Sequence, residues 1–80
     1  MTARVFFADE LPEGFEFLIS AGMAKKVLSK SVVKWLSTHL RKRKGAKHRR
    51  YDYILSGAEN RIGVLIYSDD DIMVFKLTWL

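Results

Sequence analysis

The chain has 80 residues, of which 49% are hydrophobic and 29% are charged, and its formal net charge is +5. This balance excludes a disordered chain, and the length predicts one domain, residues 1–80, with a modest core. The chain has no cysteine, which excludes disulfides and thiolate metal sites, and no apolar run long enough to span a membrane. We therefore expect a cytoplasmic protein with no cofactor, no metal and no membrane partner.

The positive charge is concentrated in one stretch, residues 20–50. Eleven of the 14 Lys and Arg residues lie there with no Asp or Glu among them, so that this stretch carries a formal charge of +11. The segments before and after it are acidic, with a formal charge of −3 each. A positive field this concentrated attracts polyanions or acidic protein surfaces. The pattern therefore indicates a class of partner and not a reaction.

The first predicted element is a strand over residues 3–8, which are rich in β-branched and aromatic side chains. Pro12 and Gly14 predict a loop after this strand. Residues 15–19 fit either a strand or a short helix, and their aromatic side chains favour the strand. We expect this second strand to form a hairpin with residues 3–8.

The central prediction is one long amphipathic helix that runs from about residue 21 or 23 to Lys44. Ser20 is a suitable N-cap, and Gly45 is well placed to end the helix. At about 100° per residue, apolar side chains fall on one side of the helix and basic side chains on the opposite side. The apolar side consists of Ala24, Leu28, Val32, Trp35, Leu36 and His39, and the basic side of Lys26, Lys30, Lys34 and Arg41.

Three strands are predicted after the helix, at residues 51–56, 61–68 and about 73–80, with turns at 57–60 and 69–72. In this register Ser56 pairs with Arg61, Ser68 pairs with Met73, and one side of the meander is almost wholly apolar. The predicted fold is α+β: a mostly antiparallel sheet, formed by an N-terminal strand or hairpin and a C-terminal three-stranded meander, packed on one long helix. The apolar side collects Tyr51, Tyr53, Leu55, Ile62, Val64, Ile66, Met73, Phe75, Leu77 and Trp79.

The candidate binding residues are basic side chains of the helix, of the loop after it and of the second meander strand. Each Lys or Arg that lies near a phosphate displaces a counterion, so several contacts together give affinity without sequence specificity. Tyr67, on the other side of the sheet, is a better candidate for stacking on a base than Tyr51 and Tyr53, which the register places in the core. His39 is expected to have a structural role, either buried or at the C-terminal end of the helix, and no catalytic residue or metal ligand is predicted. The predicted nucleic-acid contacts are Lys26, Lys30, Lys34, Arg41, Lys42, Arg43, Lys44, Lys47, Arg49, Arg50 and Arg61.

The second half of the chain resembles the last hairpin of the RelE/ParE toxin superfamily. The similarity covers about residues 53–77, from Leu55-Ser56-Gly57 through the strand that begins at Arg61 and the acidic residues 69–71 to an apolar strand. The order of strand, helix and three-stranded meander is also similar. The resemblance implies contacts with a message on the ribosome, with Arg61 matching the strand arginine of the ribonuclease members and residues 41–50 supplying further basic groups. It offers no match for the C-terminal catalytic tyrosine or histidine of many members.

The leading hypothesis is a small non-enzymatic protein that binds nucleic acid, either RNA or DNA, or a ribonucleoprotein such as the ribosome. The second hypothesis is a RelE/ParE-like toxin, which would be a ribonuclease if it cuts messenger RNA, or else an inhibitor of a host enzyme. The third is a small inhibitor of the phage type that docks its basic side on an acidic protein. All three depend on the basic side chains concentrated in residues 20–50, and the toxin hypothesis adds Arg61.

Overall fold

The computed structural model describes residues 3–80 and confirms an α+β fold with antiparallel sheets. The elements are β1 (Arg4–Phe7), a short 3-10 turn (Ala8–Glu10), β2 (Phe15–Ser20), β3 (Met23–Leu28), α1 (Lys30–His39), β4 (Tyr51–Ser56), β5 (Arg61–Ile66) and α2 (Asp69–Trp79). No helix in the described part of the chain is long and apolar enough to cross a membrane.

The main sheet has three strands in the order β1-β5-β4, and both pairings are antiparallel. The predicted register of the hairpin β4–β5 is confirmed, because Ser56 lies opposite Arg61. The apolar alternation fixes this register, since β5 is the central strand and its residues Val64 and Ile66 are fully buried. The sheet therefore joins the N-terminal strand to the second half of the chain.

The core lies between this sheet, α1 and α2. Phe6 of β1 contacts Phe75 of α2 with ring centroids 4.7 Å apart, and Trp35 of α1 meets Phe75 edge to face at 5.6 Å. Val32 and Leu36 are the buried residues of α1, four positions apart on one side of the helix. The predicted core side of α1 is thus correct at these two residues.

The prediction of one long helix from about residue 21 or 23 to Lys44 is wrong, because its first third forms the turn and the second strand of the hairpin β2–β3. Ala21 and Gly22 both have positive φ, 52° and 77°, which is the backbone of a two-residue type I′ turn. The turn places Ser20 opposite Met23, so residues 23–28 pair with β2 as a strand. Ser29, and not Ser20, caps the helix, and its side chain accepts a hydrogen bond from the Val32 N–H.

The strand over residues 15–19 is confirmed, but its predicted partner is wrong. β2 pairs with β3, and β1 pairs with β5. The two-residue turn gives β2 a neighbour in the chain at a low cost in loop entropy. β1 instead completes the central strand β5 and buries Phe6, which a local hairpin would not achieve.

The third meander strand is also wrong, because residues 69–79 form the helix α2. The Ser68 hydroxyl accepts a hydrogen bond from the Asp71 N–H at 3.2 Å, and three aspartates occupy the first turn, where the helix dipole favours negative charge. Ile72 and Phe75 are buried on one side of α2, whereas Leu77, which the strand would have placed beside Phe75, is 81% exposed.

Candidate nucleic-acid interface

The basic loop, residues 41–50, connects α1 to β4. α1 ends where the Leu40 N–H bonds to the Leu36 carbonyl, so the helix stops before the loop begins and not at Gly45. Within the loop, the Ala46 N–H donates to the Arg43 carbonyl at 2.9 Å, and Gly45 has a φ of 81°. A positive φ at the third residue is the requirement of a type II turn. The turn presents the neighbouring Lys and Arg side chains to solvent.

Arg50 anchors the C-terminal end of the basic loop to α2. Its Nη2 and Nε donate to the two carboxylate oxygens of Asp71 at 2.6 and 3.2 Å, and its Nη1 donates to the Arg41 carbonyl at 3.4 Å. The side chains of Arg50 and Asp71 are 25% and 11% exposed. The hydrogen bonds to Asp71 raise the pKa of Arg50, although its burial opposes this. Arg50 therefore holds both ends of the basic loop, and its guanidinium is engaged within the protein.

Arg61 is surrounded by acidic groups. Its guanidinium contacts Asp9 and Glu10 at 3.2 Å and Glu59 at 3.5 Å, and it lies 3.9 Å from the centroid of the Phe7 ring. The hydrogen bond to Asp9 is the main cause that raises the pKa of Arg61. Three carboxylates compete with any phosphate at this position, so the structure gives Arg61 the contacts of a structural residue.

The other cations of the basic loop are exposed. Within residues 3–80, the ion pairs involve Arg49, Arg50 and Arg61 and no other cation. Uncompensated positive charges this close together produce the strongest local attraction for polyanions. The exposed loop cations outside these pairs are Arg41, Lys42, Arg43, Lys44 and Lys47.

Two concavities lie along the basic loop, and Arg49 borders both. The first has a volume of about 290 Å³ and is lined by Ser37, Leu40, Arg41, Lys42, Arg49, Arg50 and Tyr51. The second has a volume of about 560 Å³ and is lined by Lys47, His48, Arg49, Asp52 and Tyr67. Four of the seven residues around the first concavity are Lys or Arg, which makes it the better place for an anion.

Aromatic side chains border these concavities. Arg49 lies 5.3 Å from the ring of Tyr51, and Tyr51 meets Tyr53 edge to face with centroids 5.6 Å apart. The Tyr67 hydroxyl donates to Asp52 at 2.5 Å, and Arg49 pairs with the same carboxylate at 3.6 Å. Tyr53 is exposed and Tyr67 half-buried, the reverse of the prediction. Tyr53 lies on β4, which is an edge strand of the sheet.

The structure does not unite the predicted basic side of the long helix. Lys30 and Lys34 lie in α1 and are exposed, but Lys26 lies on β3, where its Nζ is 4.2 Å from the centroid of the Phe15 ring. Arg41 follows the end of α1. Lys26 borders a groove along the β2–β3 hairpin and Lys30 borders a groove with Trp79. The two concavities of the basic loop are instead bordered by Arg41, Lys42, Lys47, Arg49 and Arg50.

Within residues 3–80, neither histidine forms a side-chain hydrogen bond with an acidic residue. His39 lies in the last turn of α1, as one of its two predicted roles required, and it is exposed and not buried; its ring stacks on Trp35 at 4.8 Å, and its Nδ1 lies 3.2 Å from the Trp35 carbonyl oxygen. His48 is an exposed loop residue beside Lys47 and Arg49. In the described residues 3–80, no group of three or more His, Asp or Glu side chains is arranged to hold a metal ion.

The residues that sequence reasoning missed are those that hold the site in place. Asp71 was interpreted as part of a turn, and Ser37 and Tyr51 were not predicted at the site. The pattern of Ser68 three residues before Asp71 at the start of an apolar run is a helix N-terminal signature, and it was the signal available for α2. No comparable signal links Arg50 to an acid 21 positions away.

No protein-family model matches the chain, and no curated protein and no solved structure matches it either. The resemblance to the RelE/ParE superfamily therefore stays a prediction. The conclusion about function depends on the geometry of the basic loop alone.

Proposed function

We propose that the protein binds nucleic acid and contacts its phosphates through the basic loop. One observation carries this proposal: five exposed Lys and Arg side chains without an ion pair in residues 3–80 belong to one loop, and two of them line a concavity that four cations surround. Each cation that approaches a phosphate releases counterions, which is the main source of affinity for nucleic acid without sequence specificity.

The basic side chains divide into two groups. Arg50 and Arg61 are paired with carboxylates and position the elements around the site. Arg41, Arg43 and Lys47 represent the group that contacts phosphate, together with the other exposed cations of the loop. Because Arg50 fixes both ends of the loop, less conformational entropy is lost when a ligand binds than in an unanchored basic tail.

The aromatic residues give the first concavity a second kind of contact. Tyr51 lines it together with Arg49, and the exposed Tyr53 lies next to Tyr51 on the same side of β4. A base that follows the bound phosphate can stack on Tyr53, and such stacking does not depend on the nucleotide sequence. This arrangement suits a single strand better than a duplex, because the bases of a single strand are accessible.

Fluorescence anisotropy with labelled oligonucleotides tests the proposal. Single-stranded RNA, single-stranded DNA and a duplex are titrated at several salt concentrations. The wild type is compared with a loop variant, Arg41→Gln, Arg43→Gln and Lys47→Gln, and with a matched variant, Arg4→Gln, Lys25→Gln and Lys76→Gln, which removes the same charge from exposed positions elsewhere.

The loop variant is expected to bind about one to two orders of magnitude more weakly at low salt, and its log–log salt dependence is expected to decrease by about one unit per lost contact. The matched variant is expected to keep most of the affinity. Equal losses in the two variants would show that the attraction comes from net charge and not from the loop, and would refute the proposal.

The two alternatives give different results with the same protein. A RelE/ParE-like ribonuclease would cleave messenger RNA on ribosomes and lose this activity in Arg61→Ala. An inhibitor of an acidic protein would bind one protein partner tightly and leave all three oligonucleotides unbound. Either outcome would replace nucleic-acid binding as the function.

A further inference from the structure

Two apolar surfaces of the molecule are exposed to solvent. The first is the tip of the β2–β3 hairpin, where Leu18 and Met23 are 58% and 75% exposed on one face, and Phe17 and Ile19 are exposed on the other. The second is the outer side of α2, formed by Met73, Val74, Leu77 and Leu80. Three of these, Met73, Leu77 and Leu80, are spaced by four and three residues, which places them along one stripe of a helix.

The hairpin needs a neighbour to be stable. A two-stranded sheet is at best marginally stable in water by itself, and here most side chains of β2 and β3 are exposed. α2 also needs a neighbour, because a helix that is apolar on more than one side is normally covered on more than one side. Only its inner side, with Ile72 and Phe75, is buried.

The molecule exposes more surface to solvent than a compact monomer of the same mass. The accessible surface is 5959 Å² and the mass is 9.3 kDa, whereas a compact monomer of this mass exposes about 5,000 Å². The radius of gyration of 13.3 Å likewise exceeds the value of about 11.6 Å expected for 80 residues. The excess of about 1,000 Å² is close to the area of about 800 Å² that each partner buries in a stable protein interface.

The two surfaces carry opposite charge. Lys25 and Lys26 are the only charged residues between Phe17 and Leu28, so that the outer part of the hairpin is positive. α2 begins with the exposed Asp69 and Asp70, one turn before Met73, while the third aspartate is held by Arg50. The first turn of α2 is therefore negative, and Lys76 is the one cation on this helix.

We propose that the protein associates with a second copy of itself, with the β2–β3 hairpin of one copy packed on the outer side of α2 of the other. Lys25 shares one face of the hairpin with Leu18 and Met23. Opposite charges bring this face to Asp69 and Asp70 of the partner helix, and the apolar side chains of the two surfaces are removed from water. A two-fold axis makes this contact twice in a dimer. The interface does not involve the basic loop, so the inference is independent of nucleic-acid binding.

Analytical ultracentrifugation of the full chain, in the absence of nucleic acid, tests the dimer. Four proteins are compared: the wild type, a hairpin variant (Lys25→Glu and Lys26→Glu), a helix variant (Asp69→Lys and Asp70→Lys), and the protein with all four changes. Circular dichroism melts establish that each variant is folded. A fifth protein, Leu18→Ser with Leu77→Ser, removes apolar contact without changing charge.

The wild type is expected to sediment with twice the mass of the chain. The hairpin variant and the helix variant are each expected to associate at least tenfold more weakly than the wild type. The protein with all four changes is expected to regain the association, since the charges are then exchanged and not lost. The fifth protein is expected to be monomeric and folded. Restoration by the combined variant is specific to the pairing of hairpin and helix.

A wild type that stays monomeric at concentrations of hundreds of micromolar overturns the proposal. So does a dimer that neither charge reversal weakens, because it must use another surface. Vesicles containing phosphatidylserine serve as a separate arm. A monomer that binds them through the hairpin, and loses this binding in the hairpin variant, would show that the exposed surface is covered by anionic lipid and not by a second copy.

Discussion

Arg50 donates two hydrogen bonds to the carboxylate of Asp71, across 21 positions of the chain. The same guanidinium reaches the carbonyl of Arg41 at the other end of the basic loop. One side chain thus fixes where α2 begins, where β4 begins and where the loop starts. The most basic part of the protein is held in position by an arginine that the loop itself provides.

Removal of this arginine should destabilise the fold and not only weaken binding. Arg50→Ala leaves the Asp71 carboxylate, which is 11% exposed, without its partner, and the expected cost is about 2–3 kcal/mol. Arg49→Ala breaks an exposed pair with Asp52, which should cost less than about 1 kcal/mol. Urea denaturation of both variants measures the difference, and similar midpoints would contradict a structural role for Arg50.

Because α2 is a helix, Phe75 and Leu77 differ in burial and should contribute differently to stability. Phe75 is fully buried and contacts Phe6 and Trp35, so Phe75→Ala should cost about 3–5 kcal/mol. Leu77 is 81% exposed, and Leu77→Ala should change the free energy of unfolding by no more than about 0.5 kcal/mol. A strand would place both side chains in the core, and comparable losses in thermal melts of a dilute sample would indicate that arrangement.

The turn of the β2–β3 hairpin can be tested by whether a substitution at Gly22 stabilises or destabilises the protein. Gly22 has a φ of 77°, and a methyl group added to it would meet no atom beyond its chain neighbours within 4 Å. The cost of Gly22→Ala is therefore that of the left-handed backbone, about 1–2 kcal/mol. In a helix the same substitution would stabilise by about 1 kcal/mol. A rise in the melting temperature of Gly22→Ala would contradict the hairpin.

The pKa of Tyr67 reports the contact with Asp52. The hydrogen bond to Asp52 is the largest cause that raises this pKa, and burial and the charge of Asp52 act in the same direction. The folded state then favours the neutral phenol; this contribution to stability is complete below the ordinary pKa of about 10 and is lost as the pH rises through the raised folded value. Asp52→Asn should lower the pKa of Tyr67, which an NMR titration of the ring measures.

Tyr53 is the internal control for this titration. Partial desolvation of its hydroxyl is the main cause that raises its pKa, followed by the neighbouring Tyr51. Asp52→Asn removes neither, so the pKa of Tyr53 should stay raised while that of Tyr67 falls. A Tyr67 pKa that does not respond to Asp52→Asn would show that the two groups are not hydrogen-bonded in solution.

The parts of the fold that could be predicted are those set by neighbours in the chain. The register of β4 and β5 follows from alternating side chains on both sides of a short turn, which is local information. The same reasoning missed the hairpin at Ala21 and Gly22, because the helical spacing of later residues outweighed a single glycine. It missed α2 because every second residue from Met73 to Trp79 is apolar, which fits a strand as well as a nearly all-apolar helix.

The candidate site likewise has features that could be predicted from neighbours in the chain and features that could not. The density of Lys and Arg in residues 41–50 is visible in the sequence, and the structure places these residues in one loop between α1 and β4. What could not be predicted is which arginines are engaged elsewhere. Arg61 meets Asp9 and Glu10 from 52 and 51 positions away, and these contacts exist only once β1 lies beside β5.

The pairing of β1 with β5 also means that the molecule does not depend on an intact connection through the basic loop. A protease that cleaves after lysine or arginine would meet its most accessible targets there, and a single cut would leave two fragments that share one sheet, one core and the Arg50–Asp71 pair. The fragments would remain associated as a nicked complex. The basic loop is thus the natural place to divide this chain into two complementing pieces, or to open it for a new pair of termini.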